Sequence, residues 1–242
     1  MDNKKIQYLK YALGEILLVV IGILIALQIN NWNQSVKDKK SLNEYLIKIK
    51  SHTSQDIVQL EELSKGRKQI ADLCKKARNS ILNKTEKDNL FLFKISGAAF
   101  VDFYFKPNSG GYESLKNSKY YGKINNTKLD SLLAKYENLV GIIAENERSY
   151  NQYTVHQENF IDTQFDRSLI LASAFMSMDS LATKATPQSE YDQAFIEYTA
   201  KPAYRNVISL AAWQFDTIIE QYHKLTEIGH LIIEEIDAKT SD

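Results

Sequence analysis

The feature that most constrains this chain is an unbroken apolar run near its N-terminus. Residues 16–27 read ILLVVIGILIAL, and the stretch from Tyr11 to Ile29 extends this apolar character over 19 residues. A helix of that length spans about 28 Å, close to the ~30 Å hydrocarbon core of a bilayer. The run has no polar face of the kind that a helix on a soluble core presents to water. We therefore predict a transmembrane helix over residues 11–29.

The flanks of this run distinguish an anchor from a cleaved signal peptide. Lys4, Lys5 and Lys10 form a basic start of the kind that signal peptides also have. The exit reads IALQINNWNQ, however, and lacks the small-residue site at which a signal peptide is cleaved. Tyr8 before the run and Trp32 after it occupy the places of interfacial aromatic residues. We expect an uncleaved anchor.

The anchor divides the chain into three parts. Residues 1–10 are predicted as a short cytoplasmic N-terminus, residues 11–29 as the transmembrane helix and residues 30–242 as a soluble domain. Lysines flank the helix on both sides, so counting them hardly favours either orientation. A short basic N-terminus before a long domain is typical of a domain that is translocated out of the cytoplasm. We therefore expect the domain outside the cytoplasm.

Composition and periodicity indicate an all-α soluble domain. Only 9 glycines and 3 prolines occur among 242 residues, which favours long helices over many short strands. Apolar residues recur at helical spacing over residues 35–83, from Leu129 onward, and from Tyr191 to Ala238 with an interruption at Lys201–Pro202. Trp213 is one of the apolar positions of the last segment. The predicted fold is an elongated antiparallel helical bundle that follows the transmembrane helix.

Several connections are predicted between these helices. Residues 106–111, KPNSGG, read as a loop, and residues 177–188 as a polar connection. Thr127, with the two asparagines before it, resembles a helix N-cap. A break of the first long helix at residues 30–33 and a bend near Gly66 both stay open.

One face of the anchor suits contact with protein. Glu15, Gly22 and Ala26 lie within roughly 20° of a common direction on a helix with 100° per residue. Gly22 and Ala26 form a small-xxx-small pair, which lets two helices approach closely. A carboxyl group in lipid also favours a protein partner. The partner would be a second copy or another membrane protein; alternatively, Gly and Ala are simply frequent in such helices and Glu15 extends to the headgroups.

A second candidate surface lies in the tyrosine-rich middle of the chain. Pro107, Tyr112, Tyr120 and Tyr121 cluster in or after the predicted loop, and loops and aromatic side chains often form binding surfaces. The alternative is that these tyrosines pack between helices with their hydroxyls at the rim.

Other functions are less supported by the sequence. Thirty basic and thirty acidic residues cancel, which argues against nucleic acid as a partner. The single cysteine, Cys74, excludes an internal disulfide and a cysteine-based zinc site. His223 and His230 share a helix face with Glu227, which suggests either a metal site or a solvated face. Nucleotide-binding and hydrolase motifs do not occur, so we expect neither an enzyme nor a bound cofactor.

Two blocks of sequence resemble a known family. The stretch from Tyr8 to Asn33, with its GE, aliphatic run and INNWN, resembles the N-terminal anchor of an uncharacterised single-pass membrane-protein family common in Bacteroidota. Residues 111–118, GYESLKNS, and the stretch from Leu129 to Tyr136 are similar to a second block of that family. The resemblance implies a bacterial inner-membrane location, with no activity attached. It also favours a role for Gly14, Glu15, Gly22 and residues 30–33.

Three functional hypotheses follow. The leading one is a membrane-anchored interaction or scaffold protein, with a periplasmic helical domain, that works in a homo- or hetero-oligomeric complex in the bilayer. The second is a ligand-sensing bundle that signals through a partner, because ten residues before the anchor are too few for an output domain. The third is a metal-dependent enzyme that uses the His223 and His230 face.

Overall fold

The computed structural model describes residues 2–86, 90–174 and 187–240, and the side chains of all of these except residues 2–12 and 172–174. Every regular element in these ranges is helical, which confirms the all-α prediction. The helices are α1 (Asp2–Asn83), α2 (Leu90–Ser96), α3 (Gly110–Lys116), α4 (Lys128–Asp162), α5 (Ser168–Ala174), α6 (Gln188–Thr199) and α7 (Pro202–Thr240). Short 3₁₀ turns cover Gly97–Phe100 and Tyr121–Lys123. Most of the polar connection predicted over residues 177–188 lies outside the described residues.

Helix α1 contains both the predicted anchor and the first helix of the bundle. Its 82 residues correspond to a rod of about 120 Å, without a break at residues 30–33 or at Gly66. The side chains of residues 13–37 are all exposed, and burial begins beyond them. Among the described helices, α1 alone is long and apolar enough to cross a membrane.

The bundle is built around α7, which packs antiparallel to both α1 and α4. Along α1, Lys50 pairs with Asp237 at 2.5 Å and Lys75 pairs with Asp216 at 2.6 Å, so the two helices run in opposite directions. Residues of α7 such as Phe215, Tyr222 and Ile232 are fully buried. Burial of this apolar face, at about 25 cal/mol per Å², is the main force that holds the three long helices together.

Helices α1 and α4 run parallel to each other, which refines the predicted antiparallel arrangement. Tyr136 of α4 contacts Asp56 of α1, and Glu147 of α4 contacts Arg67 of α1. Two parallel helices require the chain between them to return along the whole bundle. Residues 101–109, which we call the return segment, cover the middle of this path, between the 3₁₀ turn after α2 and the start of α3. Phe103 lies at Arg67 of α1 and Asn108 at Asp56. Five residues thus cover about 16 Å of helix, which requires an extended backbone. Their backbone hydrogen bonds therefore have to come from the surrounding helices.

The first residues of α3 and α4 confirm one sequence prediction and correct another. Thr127 is the N-cap of α4, and its side chain accepts a hydrogen bond from the Asp130 backbone N–H, as predicted. The predicted loop over residues 106–111 is correct only as far as residue 109, because Gly110 and Gly111 form the first turn of α3. A side chain at Gly111 would place its Cβ 3.2 Å from the Cα and N atoms of Ile49. Gly111 is thus required where α3 touches the backbone of α1.

We expect the Gly111→Ala substitution to lower the free energy of unfolding by about 1–3 kcal/mol, since the added methyl meets backbone that cannot move aside. Gly110→Ala is the matched control: its Cβ would lie 3.7 Å from His52, an ordinary contact, and alanine favours the helix by up to about 1 kcal/mol. Chemical denaturation of the detergent-solubilised chain measures both variants. Equal stability of the two variants would contradict the close approach.

Candidate functional site

The return segment is held by buried polar side chains of α1 and α4. Arg67 Nη2 and Asn151 Nδ2 each donate to the Phe103 carbonyl at 3.2 Å. The Glu147 carboxylate accepts from the Phe105 backbone N–H at 3.0 and 3.2 Å. These side chains supply the partners that a neighbouring strand would supply in a sheet.

Arg67 and Glu147 also form a charge pair at the centre of the bundle. Both residues are fully buried, with Arg67 Nη2 3.5 Å from Glu147 Oε1. Tyr222 of α7 accepts a hydrogen bond from Arg67 Nε at 2.9 Å and donates one to the Glu147 carboxylate. The guanidinium lies 4.8 Å from the centre of the Phe215 ring, which adds a cation–π contact. One network thus joins α1, α4, α7 and the return segment.

The surroundings of this network exclude water. Burial, together with the charge of Glu147 and against that of Arg67, raises the pKa of the Tyr222 hydroxyl, so it stays a proton donor. A buried ion pair rarely adds net stability, but an unpaired buried charge is costly. The network therefore determines which packing of the helices is permitted.

A small cavity lies closer to the anchor, where the return segment leads into α3. Its volume is about 70 Å³, room for roughly two waters and far below the ~300–1,000 Å³ of small-molecule pockets. The lining includes Ile49, His52, Asp56, Pro107, Tyr112 and Tyr136.

The polar groups of this cavity are engaged with each other. Asp56 is 2% exposed and accepts from the backbone N–H of Asn108 at 2.9 Å, from Asn108 Nδ2 at 2.7 Å and from the Tyr136 hydroxyl at 3.0 Å. Burial, reinforced by Asp56, raises the pKa of Tyr136. His52 Nδ1 lies 3.1 Å from both the Gly111 N–H and the Asn108 carbonyl. These contacts position the return segment on α1.

The structure places the predicted surface residues of the middle region at the end of the bundle nearest the anchor. Pro107 and Tyr112 line the cavity. The Tyr120 ring packs 6.0 Å from that of Tyr45, and the Tyr121 hydroxyl donates to Asp130 at 3.0 Å. The three tyrosines are partly buried and pack against one apolar cluster. Their role in partner binding stays a prediction.

Trp213 forms a surface that the sequence interpretation did not single out. It is one of the apolar positions of the last helix, yet its side chain is 68% exposed. An open groove of about 380 Å³ is lined by Arg78 of α1, Tyr153 of α4 and Asn206, Ser209, Leu210 and Trp213 of α7. Helical spacing could have revealed this stripe, because residues 206, 210 and 213 face away from buried Val207, Ala211 and Phe215. Trp, Tyr and Arg are the residue types most frequent at binding hot spots.

The predicted anchor face is free of contacts within the described chain. Glu15, Gly22 and Ala26 are exposed, and a Cβ at Gly22 would meet no atom within 4 Å. This face is therefore accessible to lipid or to another helix.

The remaining candidates do not converge on one site. His223 and His230 are both exposed on α7. No group of three or more His, Cys, Asp or Glu side chains suited to a metal occurs among the described residues. Cys74 is fully buried, and burial raises the pKa of its thiol to about 12, which makes it unreactive.

We expect Arg67→Leu to lower the free energy of unfolding by about 3–5 kcal/mol, because the Glu147 charge would remain buried without its partner. Arg148→Leu is the control, since Arg148 pairs with Glu145 at 2.8 Å on the exposed surface and such a pair contributes less than about 1 kcal/mol. Near-UV circular dichroism during denaturation measures both. Similar small losses for both variants would contradict the proposed role of the network.

Comparison with known proteins gives one match. No curated protein and no solved structure matches the chain significantly. A family model matches residues 15–172, which include Glu15 of the anchor, Arg67, the return segment and Glu147, while Tyr222 lies beyond it. Because this match covers more than half of the chain, the chain belongs to DUF6090, a family of unknown function.

Proposed function

We propose that this protein is a membrane-anchored scaffold whose transmembrane helix pairs with another membrane helix and whose helical domain binds protein partners outside the cytoplasm. The observation that carries the proposal is the continuity of α1 from the anchor into the bundle. The bacterial inner membrane is the proposed location, in agreement with the resemblance of the anchor.

The continuity of α1 matters because an unbroken helix fixes the orientation of the bundle relative to the anchor. Eight residues lie between Ile29, at the end of the anchor, and Asp38, where the bundle begins to cover α1. They remain helical, so the face of the anchor that contacts a partner also determines which way the bundle faces. A flexible linker would lose this relation.

The face formed by Glu15, Gly22 and Ala26 supports helix pairing. All three residues are exposed along one line of the anchor, and the absence of a side chain at Gly22 allows a second backbone to come close. A partner helix would also offer the Glu15 carboxyl a polar environment that lipid does not. Self-association and pairing with another membrane protein both satisfy this geometry.

The groove at Trp213 supports partner binding by the domain. Arg78, which lines it, lies 49 residues beyond Ile29 on α1, or about 70 Å from the membrane boundary. A large indole that is mostly exposed beside Tyr153 and Arg78 has the composition of a hot spot. The rod of α1 would hold this surface well clear of the lipid.

Ligand sensing is the second candidate, and it depends on the cavity near Asp56. The cavity is small, and the contacts of Asp56 go to the protein itself. It therefore has less support than the scaffold.

Replacing both Gly22 and Ala26 with leucine is expected to reduce the oligomer or complex isolated in mild detergent by at least about tenfold, because the added side chains separate the helices. Leu17→Phe with Leu24→Phe is the control, as it adds bulk on the opposite face. Cross-linking yield in native membranes and size analysis in detergent measure the effect. An unchanged complex would exclude pairing through this face.

The proposed orientation predicts that external protease removes the domain. In spheroplasts, added protease should degrade residues 30–242, whereas intact cells and a cytoplasmic control protein should be protected. Protection of the domain in spheroplasts, with cleavage only after lysis, would show that it faces the cytoplasm.

A further inference from the structure

The end of the bundle nearest the anchor carries a concentration of positive charge. Lys37, Lys39 and Lys40 lie on α1, and Lys119 and Lys123 lie on the connection between α3 and α4. All five are exposed. We call these five lysines the basal face.

The basal face is scarcely neutralised, although the chain as a whole has no net charge. Lys119 pairs with Asp38 at 3.3 Å. The other four lysines have no acidic partner within 4 Å among the described residues. Burial by itself would raise the pKa of Asp38, but hydrogen bonds from Gln34 and Lys119 and the charges of Lys119 and Lys123 lower it.

The height of the basal face follows from the continuity of α1. Asp38, which Lys119 contacts, is nine residues beyond Ile29, or about 14 Å along the helix axis. The headgroup layer extends roughly 5–7 Å beyond the hydrocarbon. The remaining distance is comparable to the reach of a lysine side chain and to the ~8 Å Debye length at physiological salt.

The described chain leaves this gap open. Asp237, close to the C-terminal end of α7, pairs with Lys50 of α1, so α7 ends farther from the anchor than Asp38 does. The parts of the bundle nearest the anchor are therefore α1 and the connection after α3. Successive residues on α1 differ by 100°, and Lys37, Lys39 and Lys40 therefore point to different sides of the helix. Charges that diverge in this way fit an extended anionic surface better than a single anionic group.

We propose that the basal face docks on the anionic headgroups of the bilayer that holds the anchor, and so restrains the bundle against the membrane surface. This inference rests on the proposed membrane anchoring. Each lysine close to an anionic lipid surface strengthens binding by about fivefold. Several such lysines would limit the tilt of α1 and its bundle relative to the membrane surface.

The test uses the full-length chain in nanodiscs with a fluorophore at the basal face. Gly122, between Tyr121 and Lys123, accepts a label because its Cβ would meet no atom within 4 Å, while Cys74 is buried and stays unlabelled. Gly122→Cys is labelled and placed in discs of phosphatidylcholine, with or without about 30% phosphatidylglycerol. Lipids with a nitroxide on the headgroup quench the fluorophore when it lies close to the surface.

We expect quenching at least twofold stronger with the anionic lipid, and loss of that difference in about 0.5 M salt. The Lys→Gln changes at 37, 39, 40 and 123 should abolish the difference. Lys→Gln at 65, 76, 106 and 135, four exposed lysines higher on the bundle, should preserve it. Equal quenching in both kinds of disc would overturn the docking, as expected if the face binds an acidic protein instead. A chain that enters neither kind of disc would overturn the anchoring itself, and this inference with it.

Discussion

The extended return segment is the constraint on which the rest of the bundle depends. Helices α1 and α4 run parallel, so the chain between them has to come back from the end of α1 to the start of α4. That chain brings backbone N–H and C=O groups into an apolar interior, where an unpaired group costs about 1–3 kcal/mol. Arg67 and Asn151 bond the Phe103 carbonyl, and Glu147 bonds the Phe105 N–H. The polar residues of the core are there because the topology leaves backbone to be bonded.

This solution has a consequence for the specificity of the fold. Arg67 and Glu147 are worth little as an ion pair, because removing both charges from water offsets their attraction. Any other register of α1 against α4, however, would leave a buried charge without its partner. The same eleven-residue spacing separates Asp56 from Arg67 and Tyr136 from Glu147, so both polar contacts require one and the same alignment.

The fixed alignment of α1 against α4 also fixes the orientation of the bundle relative to the apolar N-terminal part of α1. Since α1 contains both the helix long enough to cross a membrane and the first helix of the bundle, the predicted membrane face, the basic face about 14 Å beyond Ile29 and the tryptophan groove about 70 Å beyond it are carried by one continuous helix. The proposed scaffold depends on this arrangement. The DUF6090 match begins within the predicted anchor and continues through α4, so it includes α1 and α4 and ends before α7.

The sequence alone determined an N-terminal helix that is long and apolar enough to cross a membrane, the helical class of the domain, the N-cap at Thr127 and the interruption at Lys201–Pro202, because each depends on local spacing or composition. Only the tertiary structure decided the parallel course of α1 and α4 and the helical state of Gly110 and Gly111. It also decided the burial of Arg67, which in the sequence looks like one more charge on a helix. These features depend on which distant segments meet, and a local pattern carries no information about that. Arg67 and Glu147 are buried because the return segment passes between the helices and its backbone groups need hydrogen-bond partners there.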